Sequence, residues 1–420
     1  MKNVTLIGPF TQILTMDNLP SSGPVSDDLL DVIENGGIVI EDQHIVTILP
    51  ENEFNAYVAG ISKGSSEVTF FKIEKASVLI PGLIDAHTHI CYAGSRADDY
   101  ARRLAGESYM AIAKKGGGIL STVRNTRAAS EDILAGLLQK RAVTHLKRGV
   151  TTCEVKSGYG LNRDSELTML RAIGRVNNTN ETLVPDLIAT CLAAHVKPEE
   201  FDGHQEYLEY VLTDILPDVQ SEGLSNRVDI FIEDGAFSPE ISWEYLTKAK
   251  EMGFSITVHA DQFTRGGSKI AAEVGAVSAD HLEVTQKGDL DILKLNTVVA
   301  TVLPGASIGL GAGFAPARKI LDAGLPLAIA SDWNPGSAPM GDLLVQAAML
   351  GAYEKLTVSE TLAGVTNRAA MALELTDRGV LRPRLRADII AFECDDYREI
   401  IYNQGALKPY LVWKNGVLVK

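Results

Sequence analysis

The chain reads as an α/β protein, a parallel (β/α)8 barrel of the TIM type carried on a small β-sandwich domain that both chain ends build. Three observations predict this. From Pro81 to about Leu375, short apolar runs alternate with amphipathic segments, the pattern of parallel strands joined by crossover helices. The runs number eight, the count at which such a sheet closes on itself. The flanks, 1–80 and 376–420, carry short β-like runs broken by Gly, Asn, Pro and Ser, so the barrel is expected over 81–375 and the sandwich is composite.

In the first flank the runs are "NVTLIG", "QILTM", "GIVIEDQHIVTIL" and "VTFFKI", with little helical periodicity between them. The barrel strands are expected in "LIDAHTHI", "TTCEVKSG", "LIATCLAAH", "VDIFIEDG", "SITVHAD", "SADHLEV", "TVVATVL" and "PLAIASD". Helices are expected over 130–148, 164–176, 203–223, 238–252, 266–275 and 316–324. The last flank returns to strands in "ADIIAFECD" and "PYLVWKNGVLVK", where Asn415-Gly416 suits a tight hairpin turn. There is no internal repeat.

At 420 residues the chain can bury a sizeable core. Its formal charge of -15 repels nucleic acid and anionic membrane surfaces. Cys91, Cys153, Cys191 and Cys394 are scattered without a CxxC pair, which fits a reducing cytoplasm rather than a disulfide framework. The N-terminal "MKNVTLIGPFTQILTM" does not read as a signal peptide, and no run approaches a membrane span.

In a barrel of this kind the active site lies at the C-terminal ends of the strands. The polar residues expected there are His87 and His89 on strand one, Lys156 on two, His195 on three, Glu233 on four, His259 on five, His281 on six and Asp332 on eight. Of eight histidines only His44, His145 and His204 fall elsewhere. His87 and His89 share one face of their strand, with Asp85 behind them. Two imidazoles so close fill a core badly, because each buried ring nitrogen needs a partner, and a metal ion satisfies both. With His259 and Asp332 they form a donor set suited to Zn²⁺ or Fe²⁺, with a position left for water. Asp332 can accept the proton of that water and pass it to a leaving nitrogen. Single strand-end histidines such as His195 and His281 can equally be hydrogen-bonded rim residues, Glu233 and Asp234 can merely open a turn, and Lys156 more readily pairs with a carboxylate than performs chemistry. "KKGGGI" lacks the ending of a phosphate loop, and Gly116 to Gly118 are read as a turn or flexible loop over the barrel mouth; "LGAGFAP" is no dinucleotide fingerprint.

These residues resemble the amidohydrolase superfamily through "PGLIDAHTH", the strand-five and strand-six histidines and the strand-eight aspartate, over nearly the whole chain. Within it the chain is similar to the imidazolonepropionase family, through "YMAIAKKGGGILSTVRNTRAAS", "EVKSGYGL", "FIEDGAFS" and "SDWNPGS". The resemblance implies hydrolysis of the small molecule 4-imidazolone-5-propanoate to N-formimino-L-glutamate in histidine degradation. It implies a homodimer and one metal ion, Zn²⁺ or Fe, held by His87, His89, His259 and Asp332. It places Arg96, Tyr159, His195, Gln262, Asn334, Gly336 and Ser337 against substrate, and Asp332, His281 and Gln262 in the catalytic machinery. Chemistry independently favours Arg96, whose planar guanidinium can hold a propanoate through two parallel hydrogen bonds. Gln262 stands where some relatives carry Glu, and an amide there can only orient or donate. With Glu233 at strand four and no lysine beside it, a single ion is expected. A heterocycle deaminase and a non-catalytic ligand-binding barrel are the rival readings.

Overall fold

The computed structural model describes residues 4–61, 68–107, 111–112, 115–179 and 183–420. Part of the segment after strand one, 108–110 and 113–114, therefore lies outside the described residues.

Eight parallel strands follow one another around the barrel in chain order: Leu83–Asp85, Val150–Lys156, Asp186–Ala194, Arg227–Ile230, Ser255–Ala260, Ser278–His281, Val299–Val302 and Leu327–Ile329. Each falls within one residue of a run singled out in the sequence, because strands covered on both faces must be apolar almost throughout. Strand eight meets strand one just beyond the regular pairing. The His89 amide donates to the Trp333 carbonyl at 2.9 Å, and the Asp332 amide to the His87 carbonyl at 3.0 Å. Asp85 reinforces that closure by accepting from the Ser331 amide at 2.8 Å.

The crossover helices Glu131–Lys147 and Arg163–Asn177 match expectation, each started by a side-chain cap, Ser130 and Asn162. The expected helix over 203–223 is instead three pieces: His204–Tyr210, a π-helical turn Val211–Ile215, and Leu216–Ser221. Pro217 has no N–H to donate to the preceding turn, so the hydrogen-bond ladder changes register there.

A second eight-stranded sheet joins both ends of the chain. Its order is Val417–Leu418, Leu411–Lys414, Ile389–Phe392, Val78–Pro81, Val4–Leu14, Val32–Glu41, His44–Leu49, with Val68–Lys72 also paired to Val4–Leu14. Phe10, Ile13, Ile38, Leu79, Ile389 and Trp413 pack together as a core separate from that of the barrel. Asn415 (φ 51°) and Gly416 (φ 75°) both take the left-handed conformation that a two-residue type I′ hairpin needs. A Cβ on Gly416 would stand 2.4 Å from the Asp42 carbonyl, so that position admits only glycine. The first flank also holds a helix, Glu51–Ile61, in a stretch whose sequence shows little helical periodicity. It buries Phe54 against Leu6, Val39 and Leu49, and with Phe54 the one buried residue among its described side chains there is no apolar stripe to read.

No helix among the described residues is long and apolar enough to cross a membrane.

Candidate active site

At the barrel mouth, side chains from three widely separated segments converge. His87 Nε2 lies 3.2 Å from His89 Nε2, which lies 3.3 Å from His259 Nε2. Asp332 Oδ1 stands 3.6 Å from His87 Nε2 and 3.4 Å from His89 Nε2. All four side chains are buried.

The opposite ring edges show what those nitrogens carry. His87 Nδ1 is 2.6 Å from Asp280 Oδ2, and His259 Nδ1 is 2.9 Å from Asp229 Oδ2. An imidazole that donates from Nδ1 to a carboxylate has its lone pair on Nε2. The Nε2 atoms of His87 and His259 therefore turn lone pairs toward His89, a donor set that a cation among the three rings satisfies. Burial, with Lys156 adding to it, holds His87 neutral and pushes His89 down to about 3. Burial likewise brings His259 down to about 4, against the pull of Asp229. Tetrahedral donors about 2.0–2.1 Å from an ion stand about 3.3–3.4 Å apart, close to the 3.2–3.6 Å among His87, His89 and Asp332 and the 3.3 Å from His89 to His259. The donor set thus fits a divalent ion.

Below these histidines Lys156 is wholly buried, with Nζ 2.8 Å from both Glu154 Oε2 and Asp229 Oδ2. Burial opposes its charge, but Asp229, Glu154 and Asp280 outweigh that and raise its pKa. Its expected pairing with a carboxylate is what the structure contains. Asp229, Asp280 and Glu154 were not picked out from the sequence. Their signal was there: an acid inside a strand buried on both faces needs a partner.

His281 has φ 87° and Leu282 φ 69°, two consecutive left-handed residues without glycine at the mouth of strand six. His281 Nδ1 lies 3.4 Å from Glu283 Oε1. Burial disfavours its charged form, yet Glu283 more than compensates, and its pKa rises. Burial also raises Asp332.

The side-chain amide of Asn334 is engaged within its own loop. Its Nδ2 donates to the Asp332 carbonyl (2.7 Å) and to Ser337 Oγ (2.9 Å), while its Oδ1 accepts from the amides of Gly336 (2.7 Å) and Ser337 (2.8 Å). All four bonding positions of the amide are filled, so Asn334 shapes the loop rather than reaching for a ligand. Ser337 Oγ lies 3.4 Å from Asp332 Oδ2.

A family model, "Amidohydrolase family", matches residues 78–419. A curated imidazolonepropionase of Clostridium tetani is 35% identical over 100% of this chain and 98% of its own. One from Caldanaerobacter subterraneus is 37% identical over 90% and 88%. The chain belongs to the imidazolonepropionase family of amidohydrolases. Among solved structures, an Aspergillus niger ochratoxinase superposes with a TM-score of 0.70 at 17% identity, covering 100% of this chain and 96% of that one, a likeness of fold.

In this imidazolonepropionase-family chain, Arg96 is held at the rim by Asp99, with Nε to Oδ2 2.8 Å. The guanidinium packs on the strand-eight loop so closely that a Cβ on Gly336 would come within 2.6 Å of it. Arg103 donates to the Gly336 carbonyl at 3.0 Å. Tyr159 is buried with its ring centre 6.1 Å from that of His89 and 5.4 Å from that of His195. Glu166 fixes its loop, accepting from the amides of Gly158, Gly160 and Leu161. His195 stacks on His89 at 5.4 Å, with Nδ1 3.0 Å from the Gly158 carbonyl. Gln262 lines a cleft of about 380 Å³ with Phe263, Ser307 and Glu283, the partner of His281. Glu233 ties a loop, its Oε2 accepting from the amides of Phe263 (2.8 Å) and Thr264 (3.1 Å) and its Oε1 from the Asp234 amide (2.9 Å) and the Thr264 hydroxyl, so both oxygens are engaged. His145, away from the mouth, lies 3.0 Å from Asp85 and belongs to the frame.

Proposed function

We propose that this chain hydrolyses 4-imidazolone-5-propanoate to N-formimino-L-glutamate by opening the ring at its amide C–N bond. The observation that carries the reading is the convergence of three imidazole Nε2 atoms and Asp332 Oδ1 beside a rim arginine. Support for the substrate comes from the relatives' names and from the fit of a guanidinium to a carboxylate.

One divalent ion, Zn²⁺ or Fe, held by His87, His89, His259 and Asp332, supplies Lewis acidity that polarises the ring carbonyl and makes water nucleophilic near neutral pH. The residues do the rest. Asp332 takes a proton from the attacking water as the new C–O bond forms, then returns it to the ring nitrogen as the C–N bond breaks. His281, whose charged form Glu283 favours, donates to the carbonyl oxygen as negative charge builds there. Arg96 pins the propanoate, while Tyr159 and His195 wall the ring. Asn334, Gly336 and Ser337 set the loop from which Asp332 projects, and Gln262 orients or donates at the edge. The enzyme works as a cytoplasmic homodimer with its barrel over 81–375, and light scattering on the eluted protein reads the subunit number.

Purified protein given the imidazolone should abolish its ultraviolet band without releasing ammonia. Ring loss with stoichiometric ammonia would make it a deaminase, and no loss with metal present would make it a binding protein.

A further inference from the structure

Lys156 touches no ligand nitrogen, yet it sits beneath the carboxylates behind two of them. Its Nζ is 2.8 Å from Asp229 Oδ2, the same oxygen that faces His259 Nδ1 at 2.9 Å. It is 3.9 Å from Asp280 Oδ2, the same oxygen that bonds His87 Nδ1 at 2.6 Å. Its remaining contacts go to Glu154, at 2.9 and 2.8 Å, and Glu154 is otherwise held by Thr190 Oγ1 at 2.5 Å. A fully buried ammonium, here with no exposed surface, is costly to desolvate and persists only where its partners are well placed.

We propose that Lys156 is a positioning residue for the metal centre: one ammonium that anchors Asp229 and Asp280 together and so keeps His259 and His87 turned with Nε2 toward the ion. The physical need is plain. Asp229 and Asp280 lie on strands four and six, on either side of strand five, whose His259 pairs in register with Asp280, and two carboxylates drawn to one ammonium repel each other in a medium that screens poorly. Each has one oxygen committed to an imidazole. A single cation between them balances the repulsion and fixes both acceptor oxygens at once. Without it the carboxylates are free to part or to share a proton, and either change lets an imidazole rotate or shift tautomer, withdrawing its lone pair from the ion. Partners of this outer kind typically carry 10- to 100-fold of metal affinity. Strand alternation makes the arrangement possible, since Glu154 and Lys156 lie two apart on one face of strand two, and from there Lys156 reaches across to strands four and six.

The inference rests on His87, His89, His259 and Asp332 being the ligands, and the test separates the two. Protein loaded with Co²⁺ is mixed with a chromophoric chelator, and the rate of ion loss is read together with the visible spectrum of the bound cobalt. His259→Ala calibrates the ligand set: release at the wild-type rate would refute the ligand reading itself. With that intact, Lys156→Met should lose its ion at least tenfold faster, with shifted cobalt bands and unchanged far-ultraviolet circular dichroism. Lys156→Arg, which keeps the charge, should recover part of the retention. Because Lys156→Met leaves buried carboxylates without a counter-charge, Lys156→Met/Glu154→Gln removes one of them and should fold while still releasing the ion at least tenfold faster, as Glu154 touches neither histidine. Wild-type release from either variant would reduce the lysine to a counter-ion for Glu154 and overturn the inference. Failure of both to fold, with Lys156→Arg folded and retentive, would assign it to the fold and overturn the inference equally.

Discussion

Two charge clusters occupy opposite ends of the barrel, one partly exposed and one buried, and they are built differently. At the N-terminal end, where the barrel meets the sheet from the chain termini, Asp186 joins Arg378, Arg386 (2.5 Å) and Lys414 (3.1 Å), Lys414 also holds Asp388 (2.8 Å), and Asp377 holds Arg378 (2.7 Å) and Arg386 (3.0 Å). Three cations meet three carboxylates there, and every charge has a protein partner. At the mouth, one ammonium, Lys156, stands against Glu154, Asp229 and Asp280, and the Nε2 atoms of His87, His89 and His259 face one another at 3.2 and 3.3 Å. Burial, with Asp229 and Glu154 adding to it, pushes the Asp280 carboxyl up to about 7 even against Lys156. A balanced cluster fastens two parts of the molecule. An unbalanced one, negative and rich in lone pairs, is a site for a cation.

Substitutions at the mouth should strike turnover and those at the seam stability. The largest effect is expected for Asp332→Asn, which cannot carry the proton: kcat should fall about 10²- to 10⁴-fold with KM changed little, by steady-state kinetics. A rise in KM alone would remove the proton role. Arg96→Ala should raise KM roughly 10- to 100-fold, the value of one charged hydrogen-bonded contact, with kcat largely kept. Asn334→Ala sharpens the comparison within the mouth. Because its amide is spent on the loop beneath Asp332, kcat should drop about tenfold while KM moves less, whereas a ring contact would show mainly in KM.

Asp186→Asn should leave turnover unchanged and cost about 1–3 kcal/mol in urea unfolding. The seam also sets an acid limit. Burial opposes the Asp186 charge, but Lys414, Arg378 and Arg386 outweigh it and hold the folded-state pKa below the ordinary value. A depressed carboxyl contributes its stability above the unfolded pKa, near 3.9, and loses it as pH falls through the lower folded value. The wild type should therefore lose more stability than Asp186→Asn on acidification below about pH 4.

The same contrast explains what the sequence could show. Fully buried parallel strands are continuous apolar runs, so all eight stood out, and residues at their ends drew notice through chemistry at odds with those runs. His87, His89, His259 and Asp332 were legible in that way. Asp229 and Asp280 were not, because each sits inside its strand and its meaning depends on a neighbour thirty to two hundred residues off. Asn334 looked like a ligand contact, since nothing in "SDWNPGS" shows that its amide closes on its own loop. The helix Glu51–Ile61 went unseen because it buries Phe54 and little else.

Metal analysis of the purified, active protein tests the central claim most directly. Close to one divalent ion per chain, lost together with activity on chelation and restored with it on adding zinc or iron, is the predicted result. Full activity from a preparation that holds no metal would contradict it.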